Sequence, residues 1–449
     1  MNFFRITFIL IFLTTSLFAN ENQGHNFMKN PPDWSKNLTI YEVNLRQFSD
    51  KGDFKSFEKS LPKLKELGVG IIWFMPIHPI GEKNRKGSLG SYYSVKDYFG
   101  VNPDYGTMEE FKALVEKIHK MGMFVLIDWV ANHCAWDNPI LEKNPDWFTK
   151  DENGNFKPPV DDWTDVVDFD YENKELRKYM TEALKFWVKE TNIDGYRCDV
   201  AGMVPYDFWE EAVPEIHKIK PVFMLAEWET PEIHNSFHMS YAWDIHKTFN
   251  AIAKGKKNAK SIGELVKKEL KEFPKGAYRM HFTTNHDENS WNGTVQERLG
   301  ESANVFSVLT FTLPGMPLIY NGQEAGMNKR LAFFEKDFIE WKKHPNFDLF
   351  KKLVKLKKDN KALWNGDFGG KYIKLETSND NSVFAFLRKF ENNEIFVAVN
   401  LSEKPQEVIL EGKNLKGNFT EYFTNEKLSF NDENRLKLKP WSYKVFVKK

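Results

Sequence analysis

Arg197 and Asp199 stand two residues apart in the stretch Gly195-Tyr196-Arg197-Cys198-Asp199-Val200-Ala201. Side chains on a strand alternate with period two, so both groups share one face and the guanidinium holds the aspartate ionised beside it. A carboxylate so placed at the end of a buried strand suits a nucleophile or an electrostatic stabiliser, and it equally suits a structural ion pair. The rest of the chain discriminates. Other polar groups stand at the ends of other apolar runs: Asp128, Asn132 and His133 after Met123–Ile127, Glu227 after Val222–Ala226, and Asn285, His286 and Asp287 after Tyr278–Thr284. Carboxylates, imidazoles and a guanidinium so distributed have one economical use, a shared pocket at the ends of neighbouring strands.

The elements that must position them recur along the chain. Strand-like Thr39–Leu45 precedes a helix-period segment over 54–67, and Ile71–Met75 stops at Pro76. Thr107 and Glu110 predict a capping box opening a helix to Met121. After Met123–Asp128 the periodicity fails over 134–167, a segment dense in Asp, Asn, Pro and Trp, which predicts a small inserted domain. Alternation then resumes with helix 174–190, strand 195–199, helix 206–216, strand 222–227, helix 262–272, strand 278–284, helix 303–311, strand 317–320 and helix 348–360. Met239–Trp243 is the only strand candidate for the sixth unit. Eight strand–helix units with apolar strands predict an α/β fold, a closed (β/α)8 barrel over 33–362. The tail over 363–449 carries short strands split by Asn, Gly and Lys turns, which predicts a C-terminal antiparallel β domain of sandwich type.

Composition narrows the partners. Lys+Arg and Asp+Glu are both 63 of 449 residues, so no basic excess points to nucleic acid or an acidic membrane, and a neutral ligand fits better. Residues 1–19 run from a charged start through an apolar stretch to Ser16-Leu17-Phe18-Ala19, the order of a secretory signal cleaved near Ala19, with an uncleaved anchor as the alternative. This predicts a secreted or periplasmic protein with no membrane span in the mature chain. Two cysteines, Cys134 and Cys198, are too few for a disulfide framework, and buried free thiols are the expectation over a bridge.

The strand-end residues also carry a resemblance. Asp128-Trp129-Val130-Ala131-Asn132-His133, Gly195 through Asp199, Glu227, and Phe282-Thr283-Thr284-Asn285-His286-Asp287 resemble, in order and placement, the four signature regions of the α-amylase family, glycoside hydrolase family 13. Pro76, Val166–Asp170 and Gly315–Tyr320 resemble its auxiliary regions. The resemblance implies Asp199 as nucleophile, oriented by Arg197, and Glu227 as general acid, then base. It implies Asp287 as transition-state stabiliser, His133 and His286 as donors to the sugar, and Tyr93 stacked beneath the ring. The apolar Met224-Leu225-Ala226 and Trp228 around Glu227 supply the desolvation that an acid needs. Two carboxylates in these roles imply retention of configuration.

The resemblance implies no organic cofactor. Calcium stays open: Asn132 and Asp168 match two ligand positions of the family, while Gly202-Met203 stand where many calcium-binding members have Lys-His. Glu324 and Trp291 are either further sugar subsites or loop-packing residues. The expected activity is hydrolysis of α-1,4 bonds in starch-derived glucans or maltooligosaccharides. The alternatives are a cyclomaltodextrinase, α-glucosidase or transglycosylase on the same scaffold, or a non-catalytic glucan-binding protein.

Overall fold

A computed structural model describes residue 28 and residues 31–411, 415–431 and 434–448, so the export signal expected over 1–19 lies outside the described residues. Strands β1 (Ile40–Val43), β2 (Ile71–Phe74) and β3 (Phe124–Trp129) are followed by a separate two-stranded ribbon, β4 (His133–Ala135) with β5 (Val166–Asp168). Then come β6 (Gly195–Cys198), β7 (Phe223–Ala226), β8 (Met239–Tyr241), β9 (Tyr278–His281) and β10 (Met316–Tyr320). All but the ribbon join in one closed parallel barrel, which β1 seals by pairing with both β2 and β10. The sixth barrel strand, β8, is only three residues long.

Strand parity explains why each apolar run is apolar on both faces. Ile40, Ile71, Leu126, Phe223, Leu225, Met239, Met280 and Leu318 fill the barrel, while Tyr41, Ile72, Val125, Ile127, Tyr196, Cys198 and Met224 pack outward beneath the helices. Trp34 lies on Phe124 with ring centroids 4.0 Å apart and closes the foot of the barrel. Gly195 is dictated by space: a Cβ there would sit 1.9 Å from the Phe223 carbonyl oxygen of β7.

The helices begin and end where local chemistry directs. Thr107 and Glu110 form a reciprocal capping box on the helix Met108–Lys120, whose buried face is Phe111, Leu114, Val115 and Ile118. The segment over 54–67 is two helices, Phe54–Glu58 and Leu61–Leu67, because Pro62 in the first turn of the second lacks the N–H that would continue the first. Among the described residues no helix is long and apolar enough to cross a membrane.

The tail forms eight antiparallel strands, β11 (Lys371–Thr377), β12 (Val383–Phe390), β13 (Asn393–Asn400), β14 (Gln406–Glu411), β15 (Gly417–Glu421), β16 (Lys427–Phe430), β17 (Asn434–Leu438) and β18 (Tyr443–Lys448). They hydrogen-bond in the order β16-β15-β18-β13-β12-β11-β14-β17. Leu387, Phe396, Phe446, Val408 and Leu438 form its own core. The opposite faces of β12, β13 and β18, carrying Phe384, Phe386, Val397 and Val445, join the core beneath the barrel helices. Cys134 and Cys198 are both buried and unbridged.

Candidate active site

Inward parity that fills the barrel with apolar groups lower down delivers Glu42, Trp73, Asp128, Arg197, Asp199 and Glu227 at the carboxyl ends of β1, β2, β3, β6 and β7. Arg197, fully buried, is the hub. Its Nη1 donates to Asp128 Oδ1 and Asp199 Oδ1, both at 2.9 Å, its Nη2 lies 2.8 Å from Glu227 Oε1, and its Nε donates to the Tyr241 hydroxyl. Burial opposes its charge, but the Asp128 and Glu227 carboxylates outweigh that and keep it cationic. Around it the balance reverses. Burial pushes Asp199 up to about 6 and Glu227 up to about 7 against the pull of Arg197, so Asp199 is not held at an ordinary carboxylate value by its arginine. Glu227 also accepts the Val200 N–H at Oε2, 2.9 Å. Val200 makes that bond from a left-handed backbone, φ 35°, a costly conformation for a β-branched residue.

His286 forms the second tier. Its Nδ1 lies 2.5 Å from Glu42 Oε1, and its Nε2 lies 2.7 Å from the Tyr93 hydroxyl and 3.2 Å from Asp287 Oδ2. Burial lowers its pKa, yet Asp287 and Glu42 together raise it to about 9, so the ring is an imidazolium at neutral pH. The Tyr93 hydroxyl also donates to Asp128 Oδ2 and its ring stacks on His286. Burial pushes His133 down to about 3, against a weaker upward pull from a hydrogen bond with the Tyr93 backbone, so its ring is neutral. Asp287 is the most open of the acids, its side chain 35% exposed against 10% for Asp199 and 12% for Glu227.

Asp199, Glu227, Asp287, His286, Tyr93 and His133 line a cavity of about 580 Å³, with Arg197 buried behind them. Its outer wall comes from three loops that are tied together. Lys86 donates to the Asp162 carbonyl and pairs with Asp165 at 3.5 Å, joining the loop after β2 to the inserted segment. Ser88 donates to Glu335, and Leu89 N donates to Phe334 O at 3.0 Å, joining the same loop to the one after β10. Trp163, Trp291, Phe333 and Phe334 add aromatic surface. Beyond Glu227 and Val200 a second groove of about 380 Å³ runs past Trp228 and Trp243 to Lys247.

All seven catalytic and sugar-binding candidates, Tyr93, His133, Arg197, Asp199, Glu227, His286 and Asp287, converge here. Trp291, 52% exposed, lines the cavity, whereas Glu324 turns away from it to accept the Tyr41 hydroxyl at 2.6 Å and is structural. Sequence reasoning missed Glu42, although a lone carboxylate on the inward parity of an apolar strand is a legible sign. It also missed Lys86, Trp163, Phe333 and Phe334, which lie in loops without periodicity.

Asn132 and Asp168 do lie together, Nδ2 to Oδ1 3.5 Å. The Thr149 hydroxyl donates to Asp168 Oδ2, the backbone carbonyl of Asn132 accepts Phe169 N, and among the described residues no group of three or more His, Cys, Asp or Glu side chains is placed to hold a metal. Calcium takes six to eight oxygens, and of these the Asn132 and Asp168 side chains would supply the two that the resemblance implies. Gly202, in the neighbouring turn, is packed against the Trp228 indole, where a Cβ would fall 2.0 Å from the ring.

Comparison with known proteins adds an independent line. The family model described as "Alpha amylase, catalytic domain" matches residues 13–366, and "Maltogenic Amylase, C-terminal domain" matches residues 373–445. The crystal structure of a noncanonic maltogenic α-amylase from Thermotoga neapolitana is 32% identical and superposes with a TM-score of 0.85 over 92% of this chain and 99% of that one. A maltogenic α-amylase of Bacillus acidopullulyticus is 27% identical over 95% of this chain and 75% of its own. A cyclomaltodextrinase of Thermoanaerobacter pseudethanolicus is 25% identical over 85% of this chain and 74% of its own.

Proposed function

This chain belongs to the α-amylase family and is a glycoside hydrolase, and from that premise we propose that it cleaves α-1,4-glucosidic bonds of starch-derived glucans or maltooligosaccharides by double displacement. The observation that carries the reading is Arg197, whose two terminal nitrogens hold Asp199 and Glu227 against one cation. In the first step the Asp199 carboxylate attacks the anomeric carbon while Glu227 gives its proton to the departing glycosidic oxygen. In the second, Glu227 takes a proton from water, the water oxygen bonds to the anomeric carbon, and Asp199 leaves as carboxylate, so configuration is retained. Asp287 and the His286 imidazolium grip the ring hydroxyls, and Tyr93 supports the ring's apolar face.

Glu227 borders both cavities, and an acid must face its leaving group. The groove past Trp228 and Trp243 therefore takes the leaving portion, and the walled cavity takes the portion that becomes the glycosyl–enzyme. A continuous wall at that end favours short products released from chain ends over cuts within long chains. Chromatography of products from maltoheptaose, cyclodextrin, pullulan and starch, with the anomer followed by NMR, tests this. Short α-configured maltooligosaccharides are expected from the start of the reaction. Failure to release reducing sugar from every α-glucan would leave a glucan-binding protein as the better reading, and preference for the cyclic substrate would identify a cyclomaltodextrinase.

A further inference from the structure

Outside the barrel wall, between the helix Lys260–Glu272 and the C-terminal domain, lies a second cavity of about 610 Å³. It shares no residue with the catalytic one. Arg388 of β12, 1% exposed, donates to the Gly370 and Thr312 carbonyls and pairs with no carboxylate among the described residues. Arg279 of β9, 4% exposed, satisfies its terminal nitrogens on Ser240, Glu229 and Glu269, but its Nε has no partner. His281 gives its Nε2 to the Pro314 carbonyl at 3.0 Å, which fixes the proton there and leaves Nδ1 as a buried acceptor without a donor. The Tyr372 hydroxyl of β11 is likewise unpartnered. Lys275 and Lys371 are exposed, so four cationic side chains meet three carboxylates, Glu269 and Asp367 of the lining and the Glu229 that pairs with Arg279.

Buried polar groups are almost always paired, and a buried guanidinium without a carboxylate lacks its counter-charge. Here one wall leaves a guanidinium, a spare N–H, a spare imidazole lone pair and a spare hydroxyl around one cavity far larger than a single phosphate. Donors and a cation call for an anion. The neutral imidazole acceptor calls for a hydroxyl proton, which a bare anion does not offer. We propose that this cavity is a second binding site, for a small anionic carbohydrate whose phosphate or carboxylate sits on Arg388 and Lys371. Its hydroxyls engage His281 Nδ1, Arg279 Nε and the Tyr372 hydroxyl.

Calorimetric titration of the full chain with glucose 6-phosphate, glucuronate, inorganic phosphate and glucose tests the proposal. At least one of the two charged sugars binds and glucose does not, and the tighter of the two identifies the anionic group. Lys371→Glu, on the exposed rim, weakens that binding at least tenfold, and Tyr372→Phe weakens it several-fold. Hydrolysis of maltoheptaose without ligand is unchanged in both. Absence of heat with every probe at millimolar concentration, or binding that neither variant weakens, would overturn the site. Inorganic phosphate binding as tightly as both charged sugars would overturn its assignment to a carbohydrate.

Discussion

Arg197 touches Asp128, Asp199 and Glu227 at once, so three acids compete for one cation and none reaches the low pKa that a private ion pair would give. With Asp199 raised to about 6 and Glu227 to about 7, the productive form, nucleophile ionised and acid protonated, is most populated between those values. We expect kcat/KM to follow a narrow bell with limbs near these two values, which belong to the pair as a whole. A flat profile from pH 5 to 9 would contradict the assignment. Asp199→Asn should lower kcat by about 10⁴-fold or more with an unchanged circular dichroism spectrum. Glu227→Gln should lose the acid step and recover part of it on substrates with a good leaving group. His286 carries the opposite sign. Its pKa rises on folding, so its contribution to stability is complete below its ordinary value of 6.5 and is lost as pH rises through about 9. Glu42→Gln should lower that upper value, read by NMR titration of the ring. Parity made Arg197 and Asp199 legible as partners in the sequence. The net upward shift of Asp199 was not legible, because it depends on how completely distant strands bury it.

Among the elements, β6 ends one residue before Asp199, the proposed nucleophile, and owes its place to Gly195, which lets β7 approach. Gly195→Ala drives a methyl into the Phe223 carbonyl and should cost about 3 kcal/mol or more of stability, measured by denaturant unfolding. A near-neutral effect would mean that the two strands separate freely. The loop after β2 is held differently, by Lys86 on one side and by Ser88 and Leu89 on the other. Lys86→Ala should open the wall and shift early products towards longer chains, with the overall rate less affected than the product distribution. The strands and caps could be read from periodicity, down to the Thr107–Glu110 box. β8 could barely be read, since three residues hold too little pattern. The loop wall could not be read, because Ser88 meets Glu335 only after the barrel closes.

For the molecule as a whole, barrel and tail share a core through Phe384, Phe386, Val397 and Val445. The tail is thus part of the barrel's shell, and a chain ending at residue 370 would leave that shell open to water. Such a truncation should be insoluble or melt well below the full chain, and a barrel retaining the full chain's Tm would show that the docking is dispensable. Sequence alone separated the two units by their change of periodicity, but it could not show that one sheet face is spent on the other unit, since both faces of β12 read as apolar. The two cysteines extend this to time. Cys198 packs outward one residue from Asp199, and Cys134 lies on the ribbon that roots the inserted segment. Neither sulfur is exposed to solvent in the folded chain. A thiol reagent can reach each one only when its own strand parts from its neighbours. Under conditions where the native state holds, the two labelling rates are therefore separate clocks, one for the opening of the strand that leads into Asp199 and one for the detachment of the segment that walls its pocket.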